Sequence, residues 1–565
     1  MAPTARSLRR PSAKPRRRAR RPAVLATAAL ACSGVFAGCT ENVSSGLGGA
    51  PSNTGLVPGE DFTLRTPPGT QVLQASGPVD AAMLMSQTLF ERADTVVLAD
   101  LQHQDAASRL ATDLGAPTLL SPASTAPADN EPPSATKPAG TTASPGPGNA
   151  GTTAPLTSTG LPSPARKTPT SAPQVLEELN RLRPSTILVA GANAKTLAEQ
   201  ADAAVIEIDE QNPQDTDRLP STEPIALDGD LAVLTTSRSV LAAQATAEAA
   251  GATPVTVPGG DPRAAESAKA LRSTDGPVIG VGAQFVDTDT LAQRMHTVRT
   301  AEQLPGGGQV VFPGRMMVAL YGHPGAPVLG VLGEQDLEAT IARAREHASW
   351  YQADSDVPVV PTLEIIATVA AAGPGEDGDY SDEYPASQFE PYVRRAADED
   401  VYVLLDLQPG RDRLIDQAKQ YESLLKQPHV GLAIDPEWKL HGDQTPLRQI
   451  GHIDAAEINE VADWLADLTA GNDLPQKLLV LHQFQLGMLP DRNRIDTGRD
   501  ELSYLVHADG QGTQGMKQAT WQALHHEPPP NVWWGWKNFY DEDSPTLPPQ
   551  QTVQVQPRPN LVTYQ

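Results

Sequence analysis

The sequence predicts an α/β protein, with a parallel-sheet repeat domain that contains a disordered insertion, followed by a TIM-like (β/α)8 barrel. Length is the first observation, because 565 residues exceed what one hydrophobic core supports and require two or more domains. The second is the alternation of short β-branched runs with Ala- and Leu-rich helical runs, which is typical of βαβ units. The third is a change in composition near Gln309, after which most of the aromatic residues occur.

The amino terminus predicts export and lipidation. Residues 1–38 combine an Arg-rich segment, an apolar span over residues 23–37 and small residues at the end, which is the plan of a secretory signal peptide. The boundary sequence Phe-Ala-Gly-Cys, which ends at Cys39, resembles the lipobox of bacterial lipoproteins. That resemblance implies that Cys39 carries acyl chains, palmitate among them, and anchors the protein on the outer face of the cell membrane.

Alternatives stay open at this terminus. An ordinary signal peptide with an incidental Cys39 has the same pattern, and Cys32 is a second candidate, although a shorter apolar segment precedes it. The pair Arg20-Arg21 is also similar to a twin-arginine signal. The export route is therefore either Sec or twin-arginine.

Composition excludes several classes of protein. The formal net charge is −25, and removal of residues 1–38, which hold nine Lys and Arg and no acid, leaves −34. A charge of this sign repels phosphates, so we expect no nucleic-acid partner. Cleavage leaves Cys39 as the single cysteine, so we expect no disulfide. No later segment has the roughly 18 to 20 continuous apolar residues of a membrane-spanning helix, so the lipid would be the only anchor.

Two segments have the composition of flexible chain. Residues 39–75 are rich in Gly, Ser, Thr and Pro, which indicates a tether between the membrane and the folded part. Residues 121–172 have the same bias and no aromatic side chain, so they bury too little surface to fold. Because this second segment interrupts a continuous α/β pattern, we interpret it as a disordered insertion within one domain, over residues 76–300.

The domain over residues 76–300 has the βαβ pattern on both sides of the insertion. We expect strands over residues 95–99, 118–120, 186–189, 231–235 and 278–281, with a further strand after a turn at 251–255. We expect helices over residues 105–114, 173–182 and 241–250. The segments Asp113-Leu-Gly-Ala-Pro and Ala250-Gly-Ala-Thr-Pro share the order helix, Gly-Ala, Pro, strand, which indicates a diverged internal repeat.

Over residues 85–285 the chain resembles the cell-wall-binding repeat type 2 modules of Gram-positive surface proteins. The segment Leu114-Gly-Ala-Pro-Thr-Leu-Leu matches the Leu-Gly-Ala-Pro motif of those modules, and Val189-Ala-Gly stands where their strand ends in Gly-Gly. The segment His103-Gln-Asp-Ala-Ala replaces their helix start. The resemblance implies that this domain binds an anionic cell-wall polymer. Members usually carry three copies of the repeat, and this chain shows two.

Residues 301–565 predict the barrel. Seven near-continuous apolar runs, separated by helical runs, have the character of strands that are covered on both faces. The runs are residues 310–320, 357–366, 401–407, 430–434, 477–481, 502–506 and 532–536. The length is close to the roughly 250 residues of a (β/α)8 barrel, so we expect an eighth strand that is short or hard to recognise.

Ionisable residues follow most of these runs, at the end where barrel enzymes carry their active sites. The sharpest motif is Asp435-Pro-Glu437-Trp438, in which positions i and i+2 would turn both carboxylates toward one space. Two carboxyl groups close together are the catalytic pair of glycosidases, and crowding keeps one of them protonated as the acid. The alternative is that strand ends are polar because loops are polar.

The Asp-x-Glu motif after the fourth run resembles the strand end of family 25 glycoside hydrolases, which have barrel folds. The resemblance implies Glu437 as general acid, Asp435 as nucleophile or electrostatic partner, and Asp509 as a further catalytic carboxylate. That family has an Asp near the end of its first strand, where this chain has Tyr321-Gly-His. Candidates for substrate binding are Glu364, Asp406, Trp438, His482, Trp534 and Lys537.

Three functions remain open from the sequence. The first is a membrane-anchored, cell-wall-associated lipoprotein whose barrel hydrolyses envelope glycan. The second is a non-catalytic surface protein whose degenerate barrel binds glycan. The third is a solute-binding lipoprotein, although an aromatic-poor first part and an aromatic-rich second part are unlike paired lobes. No His-x-x-x-His or Cys pair supports a metal site and no Walker motif is present, so we expect no metal and no cofactor.

Overall fold

The computed structural model describes residues 55–123, 169–208, 219–227, 229–236 and 240–565. The predicted signal peptide, Cys39, the first part of the tether and most of the insertion lie outside the described residues. Residues 56–73, which the sequence assigns to the tether, form three short strands, because Phe62 and Leu64 are buried in the core. Over the ranges that the structure describes, no helix combines the length and the apolar character that a bilayer crossing needs.

Strands and helices alternate over residues 55–300. The strands are β1 (Leu56–Pro58), β2 (Phe62–Arg65), β3 (Gln71–Leu73), β4 (Phe90–Ala93), β5 (Thr95–Asp100), β6 (Thr118–Ser121), β7 (Thr186–Ala190), β8 (Ala204–Glu207), β9 (Ala232–Thr235), β10 (Thr253–Thr256) and β11 (Val278–Val281). The helices are α1 (Pro78–Leu89), α2 (Gln104–Leu114), α3 (Ala172–Leu182), α4 (Ala192–Ala198), α5 (Leu241–Ala249), α6 (Ala265–Leu271) and α7 (Thr288–Thr300).

These strands form two parallel sheets and one small antiparallel sheet. The parallel sheets have the strand orders β6-β5-β7-β8 and β10-β9-β11-β3, and β1-β2-β4 is antiparallel. Every residue of β5 and β9 is buried, because both faces of these strands are covered. Gly115 ends α2 with φ 66° and Gly251 follows α5 with φ 87°. A glycine in the left-handed conformation therefore makes the turn into the edge strand of each parallel sheet.

Residues 316–564 contain a closed barrel of eight parallel strands, which confirms the predicted mixed α/β class and the TIM-like barrel. The strands of this part are β12 (Met316–Gly322), β13 (Val359–Ala370), β14 (Ser381–Glu383), β15 (Tyr402–Leu407), β16 (Val430–Ile434), β17 (Lys477–Gln483), β18 (Leu502–Ala508), β19 (Trp533–Asn538) and β20 (Leu561–Tyr564). All except β14 belong to the ring, which closes because β12 pairs with both β13 and β20. The eighth strand is β20.

Helices surround the ring. They are α8 (Leu337–Gln352), α9 (Ala386–Asp398), α10 (Leu414–Gln420), α11 (Glu422–Leu425), α12 (Ala455–Gly471), α13 (Gln514–Leu524) and α14 (Pro549–Thr552). The first strand begins at Met316 and not at residue 310, since Pro313 has no backbone N–H for a strand ladder. The residues before it, Val311 and Phe312, instead pack against the inward side chains at the amino-terminal ends of the barrel strands.

Ion pairs and a hydrogen bond join the first part of the chain to the amino-terminal end of the barrel strands. Asp500, just before β18, lies 2.7 Å from Nη2 of Arg294 and 3.0 Å from Nη2 of Arg263. Asp473, shortly before β17, lies 2.9 Å from Nε2 of His296. These contacts are on the side of the ring opposite to the carboxyl-terminal ends of the strands.

Candidate active site

Inside the barrel, the side-chain layers nearer the amino-terminal ends of the strands are mostly apolar. The layer at the carboxyl-terminal ends is polar. Side chains alternate between the inside and the outside of the ring along each strand, and the lower inward positions are mostly apolar, such as Leu404 on β15 and Val480 on β17. The next inward position on each of the eight strands carries a polar or ionisable side chain. These residues, which we call the polar layer, are Tyr321, Glu364, Asp406, Asp435, His482, His507, Lys537 and Thr563.

His482 lies between two carboxylates. Its Nε2 is 2.9 Å from Oε1 of Glu364, and its Nδ1 is 3.1 Å from Oδ2 of Asp509. Burial by itself lowers the pKa of His482, but the hydrogen bonds to Asp509 and Glu364 outweigh it and hold that pKa well above its usual value. The ring is therefore an imidazolium that donates one hydrogen bond to each carboxylate.

The carboxylates beside His482 are held ionised. Burial raises the pKa of Glu364, but the hydrogen bond from His482 outweighs burial and brings it down to about 2. Burial also raises the pKa of Asp509, and the hydrogen bond from His482 again outweighs burial, so that the pKa of Asp509 is lowered. Thr563 donates a 2.9 Å hydrogen bond to Oε2 of Glu364, and Nε2 of His507 lies 2.7 Å from the Thr563 hydroxyl. Burial and the nearby imidazolium lower the pKa of His507 to about 3, so this second ring is neutral.

Three other carboxyl groups of the barrel mouth hold their protons more tightly than usual. Burial raises the pKa of Asp406 to about 6. Burial and the charge of Asp509 raise the pKa of Glu437 to about 7. Burial and the proximity of Glu437 raise the pKa of Asp435 well above its usual value. Tyr321 donates a 2.9 Å hydrogen bond to Asp406. Ionised and protonated carboxyl groups thus lie side by side at neutral pH.

A cavity of about 510 Å³ opens above the polar layer. Its charged lining side chains are Glu437, Asp509, Glu542 and Lys537, and the ring of Trp438 also lines it. Nζ of Lys537 lies 3.5 Å from the centre of the Tyr321 ring. Glu437 and Trp438 reach the cavity from a short 3-10 helix, Pro436–Trp438, directly after β16. A donor acid, an anion and an aromatic ring thus meet at this cavity.

The structure brings eight of the nine predicted site residues to the barrel mouth: Glu364, Asp406, Asp435, Glu437, Trp438, His482, Asp509 and Lys537. It does not bring Trp534 there. Lys537 faces inward on β19, so Trp534, three positions earlier, faces outward. Its ring packs against Trp521 of α13 and against His525, the residue directly after that helix. Trp534, a predicted substrate-binding residue, therefore lies away from the barrel mouth.

Three members of the polar layer, Tyr321, His507 and Thr563, were not among the predicted site residues. The hydroxyls of Tyr321 and Thr563 each contact one of the buried carboxyl groups, and the ring of His507 contacts the Thr563 hydroxyl. The signal that finds them is alternation, because each stands two positions after an apolar inward residue, namely Ala319 on β12, Leu505 on β18 and Leu561 on β20.

Potential metal ligands lie elsewhere. Within the described ranges, a single group of three carboxylates comes close enough to share an ion, namely Asp377, Asp379 and Glu383 on the hairpin of β13 and β14. None of the three lines the cavity. His482 has both ring nitrogens engaged with carboxylates, so it offers no free lone pair to a metal.

Among known proteins, no family profile and no characterised sequence matches this chain. Among solved structures, the chain is similar to Cwp6 from Clostridium difficile, with 12% sequence identity and a TM-score of 0.18. The similarity covers 76% of this chain and 65% of that protein, so this chain spans just under two thirds of its length.

Proposed function

We propose that the barrel is a glycoside hydrolase of the bacterial envelope, with Glu437 as general acid and Asp509 as the ionised carboxylate beside it. One observation carries the proposal. Glu437 and Asp509 line the same cavity, and their surroundings move their pKa values in opposite directions. A proton donor and an anionic carboxylate in one cavity are the pair that glycoside hydrolysis requires.

Each carboxyl group has one task in this reaction. Glu437, with a pKa of about 7, transfers its proton to the glycosidic oxygen as the bond from that oxygen to the sugar breaks. Asp509 stays ionised because His482 donates to its Oδ2, while its Oδ1 has no hydrogen bond within the described residues. The Asp509 charge stabilises the positive charge that develops on the sugar ring. His482 and Glu364 act behind Asp509 as positioning residues.

Asp435 takes a different role from the one that the sequence suggests. It is 2% exposed and does not line the cavity, and burial together with Glu437 keeps it protonated. A protonated carboxyl group is a poor nucleophile. We therefore assign Asp435 to the support of Glu437, as a neutral neighbour that adds no second negative charge.

A sugar as substrate is supported by Trp438 and Lys537. The half-buried ring of Trp438 presents a flat apolar face to the cavity, which is the kind of surface on which a sugar ring lies. Lys537 is 4% exposed, and its Nζ has no hydrogen-bond partner among the described residues. The ammonium group therefore has its N–H donors available for sugar hydroxyls.

The amino-terminal sequence supports a location outside the cell membrane. We place the lipid anchor on Cys39, the barrel on the outer face of the membrane, and a wall-polymer site in the domain over residues 76–300. Metabolic labelling with an alkyne palmitate tests the anchor. We expect label and membrane retention for the wild type and loss of both for Cys39→Ser; a labelled Cys39→Ser protein would refute this site of lipidation.

The variant Glu437→Gln tests the catalytic proposal, with Glu390→Gln on the exposed side of α9 as the matched control. The assay measures reducing sugar that the full-length protein releases from isolated Gram-positive cell envelopes. We expect Glu437→Gln to lower kcat by about a hundredfold or more, because the general acid is lost, and the control to retain turnover. Equal turnover by Glu437→Gln and the wild type would eliminate Glu437 as the acid.

A glycan-binding barrel without catalysis is the second candidate. Tyr321 favours it, because this tyrosine stands where family 25 glycoside hydrolases have an Asp. Under this alternative, the wild type and Glu437→Gln bind glycan with the same affinity and neither releases sugar.

A further inference from the structure

A second cavity continues from the first beside the loop that follows β16. Its volume is about 360 Å³, and it shares Glu437, Trp438 and Ile450 with the active-site cavity. We call this space the side groove. Its other lining residues are Leu440, Pro446, Leu447, Arg448 and Gln449, so most of its wall away from Glu437 is apolar.

The loop over residues 439–453 that forms the side groove is closed at its base. The backbone N–H of Gly451 donates a 2.7 Å hydrogen bond to the carbonyl oxygen of Glu437. Nε2 of His441 lies 2.8 Å from the carbonyl oxygen of His452, and the two imidazole rings stack. The groove is therefore preformed beside Glu437, which lowers the ordering cost of binding.

Leu447 has an unfavourable backbone conformation and an exposed apolar side chain. Its side chain is 84% exposed, and its φ is 61°, in the left-handed region that leucine rarely adopts. Ile450, which belongs to both cavities, is also exposed, and so is Val328 on the wall of the active-site cavity. Exposed apolar side chains along two connected cavities mark a binding surface for an apolar group.

The position of the groove relative to Glu437 identifies the part of the substrate that would enter it. A general acid protonates the oxygen of the leaving group, so the leaving group lies on the side of the sugar where the acid stands. The side groove begins at Glu437. A further sugar unit there would place most of its hydroxyls against Leu447, Pro446 and Ile450, where they would lose hydrogen bonds to water, and only Arg448 and Gln449 could replace some of those bonds.

We propose that the side groove binds an alkyl or acyl chain on the leaving group, so that the substrate of the barrel is a glycolipid. This inference rests on the proposed hydrolase function of Glu437. In the reaction, the bond between the anomeric carbon and the glycosidic oxygen breaks, and that oxygen takes the proton of Glu437 and leaves as the hydroxyl of the lipid. Water supplies the new hydroxyl of the sugar and returns the proton.

Binding of alkyl glycosides with one, four and eight carbons tests the groove. The probes are β-glucosides and β-N-acetylglucosaminides, used below the concentration at which they form micelles. Calorimetry with full-length Glu437→Gln measures their affinity without turnover, and the wild type measures hydrolysis. Each buried methylene strengthens binding by about threefold to fourfold. We therefore expect the octyl glycoside to bind about a hundredfold more tightly than the butyl glycoside.

Two further variants, each combined with Glu437→Gln, assign the effect to the groove. Leu447→Ser is expected to reduce the octyl preference by about tenfold, whereas Leu101→Ser, at another exposed leucine, is expected to leave it unchanged. Equal affinity for butyl and octyl glycosides, or a preference that Leu447→Ser retains in full, would overturn the inference. Hydrolysis without dependence on chain length would overturn the glycolipid inference and leave the hydrolase standing. Chain-dependent binding without turnover would refute the hydrolase and leave an apolar-chain site.

Discussion

Replacement of Glu437 by Gln is expected to stabilise the folded protein at alkaline pH. Burial, with the charge of Asp509, raises the pKa of Glu437 from 4.5 to about 7 in the folded chain. The folded state then binds this proton more tightly than the unfolded state, so the free energy of unfolding falls as pH rises from 4.5 to 7 and stays low above pH 7. The difference between the two pKa values corresponds to about 3 kcal/mol. Gln does not ionise, so it removes this loss.

Urea unfolding at pH 4 and pH 8, followed by tryptophan fluorescence, measures the effect. At pH 8 we expect Glu437→Gln to gain about 2 to 3 kcal/mol in free energy of unfolding over the wild type. At pH 4 we expect almost no difference, because Glu437 is then protonated in the folded chain. Glu390→Gln, at an exposed position, should show no gain at either pH. A loss at pH 8, or the same change at both pH values, would refute the assignment of Glu437 as a buried acid.

Three further predictions follow from the same site. The wild-type kcat/KM for an alkyl glycoside should fall above pH 7, as Glu437 loses its proton, and a flat profile up to pH 9 would contradict this role. His482→Gln removes the imidazolium that donates to two buried carboxylates, so the free energy of unfolding at pH 7 should fall by about 3 to 5 kcal/mol in urea, and by less at pH 3, where those carboxylates take up protons. Trp438→Ala should raise KM about tenfold, and Trp534→Ala should instead lower the free energy of unfolding by about 3 to 5 kcal/mol with KM unchanged. Similar effects of the two Trp variants on KM would refute this division.

Burial on both faces makes most of the barrel readable in the sequence, because it produces continuous apolar runs. Seven of the eight strands stand out in this way. The eighth, β20, has four residues after a segment with two prolines, Gln556-Pro-Arg-Pro, so no run marks it. Only its pairing with β12 and β19 makes it a strand. Similarly, the predicted first run continues through Pro313, and only the ladder with β13 fixes its true start.

Alternation of side chains explains which site residues the sequence reveals. Asp406 and His482 lie in clearly apolar strands, two positions after Leu404 and Val480, so their inward direction follows from the pattern. The run that contains Trp534 has tryptophan on both faces, which hides the period of two. The opposite pKa shifts of Glu437 and Asp509 depend on ring closure, which brings together residues from different strands. No local pattern encodes that proximity.

The contacts of Asp500 and Asp473 with the first part of the chain have a consequence for how this chain diversifies. They hold that part at the amino-terminal end of the ring, and they use no residue of the loops at the other end. Those loops can therefore lengthen, shorten or exchange residues without weakening the contact between the two parts of the chain. Relatives with different loops at the barrel mouth would then act on different molecules while this contact stays the same.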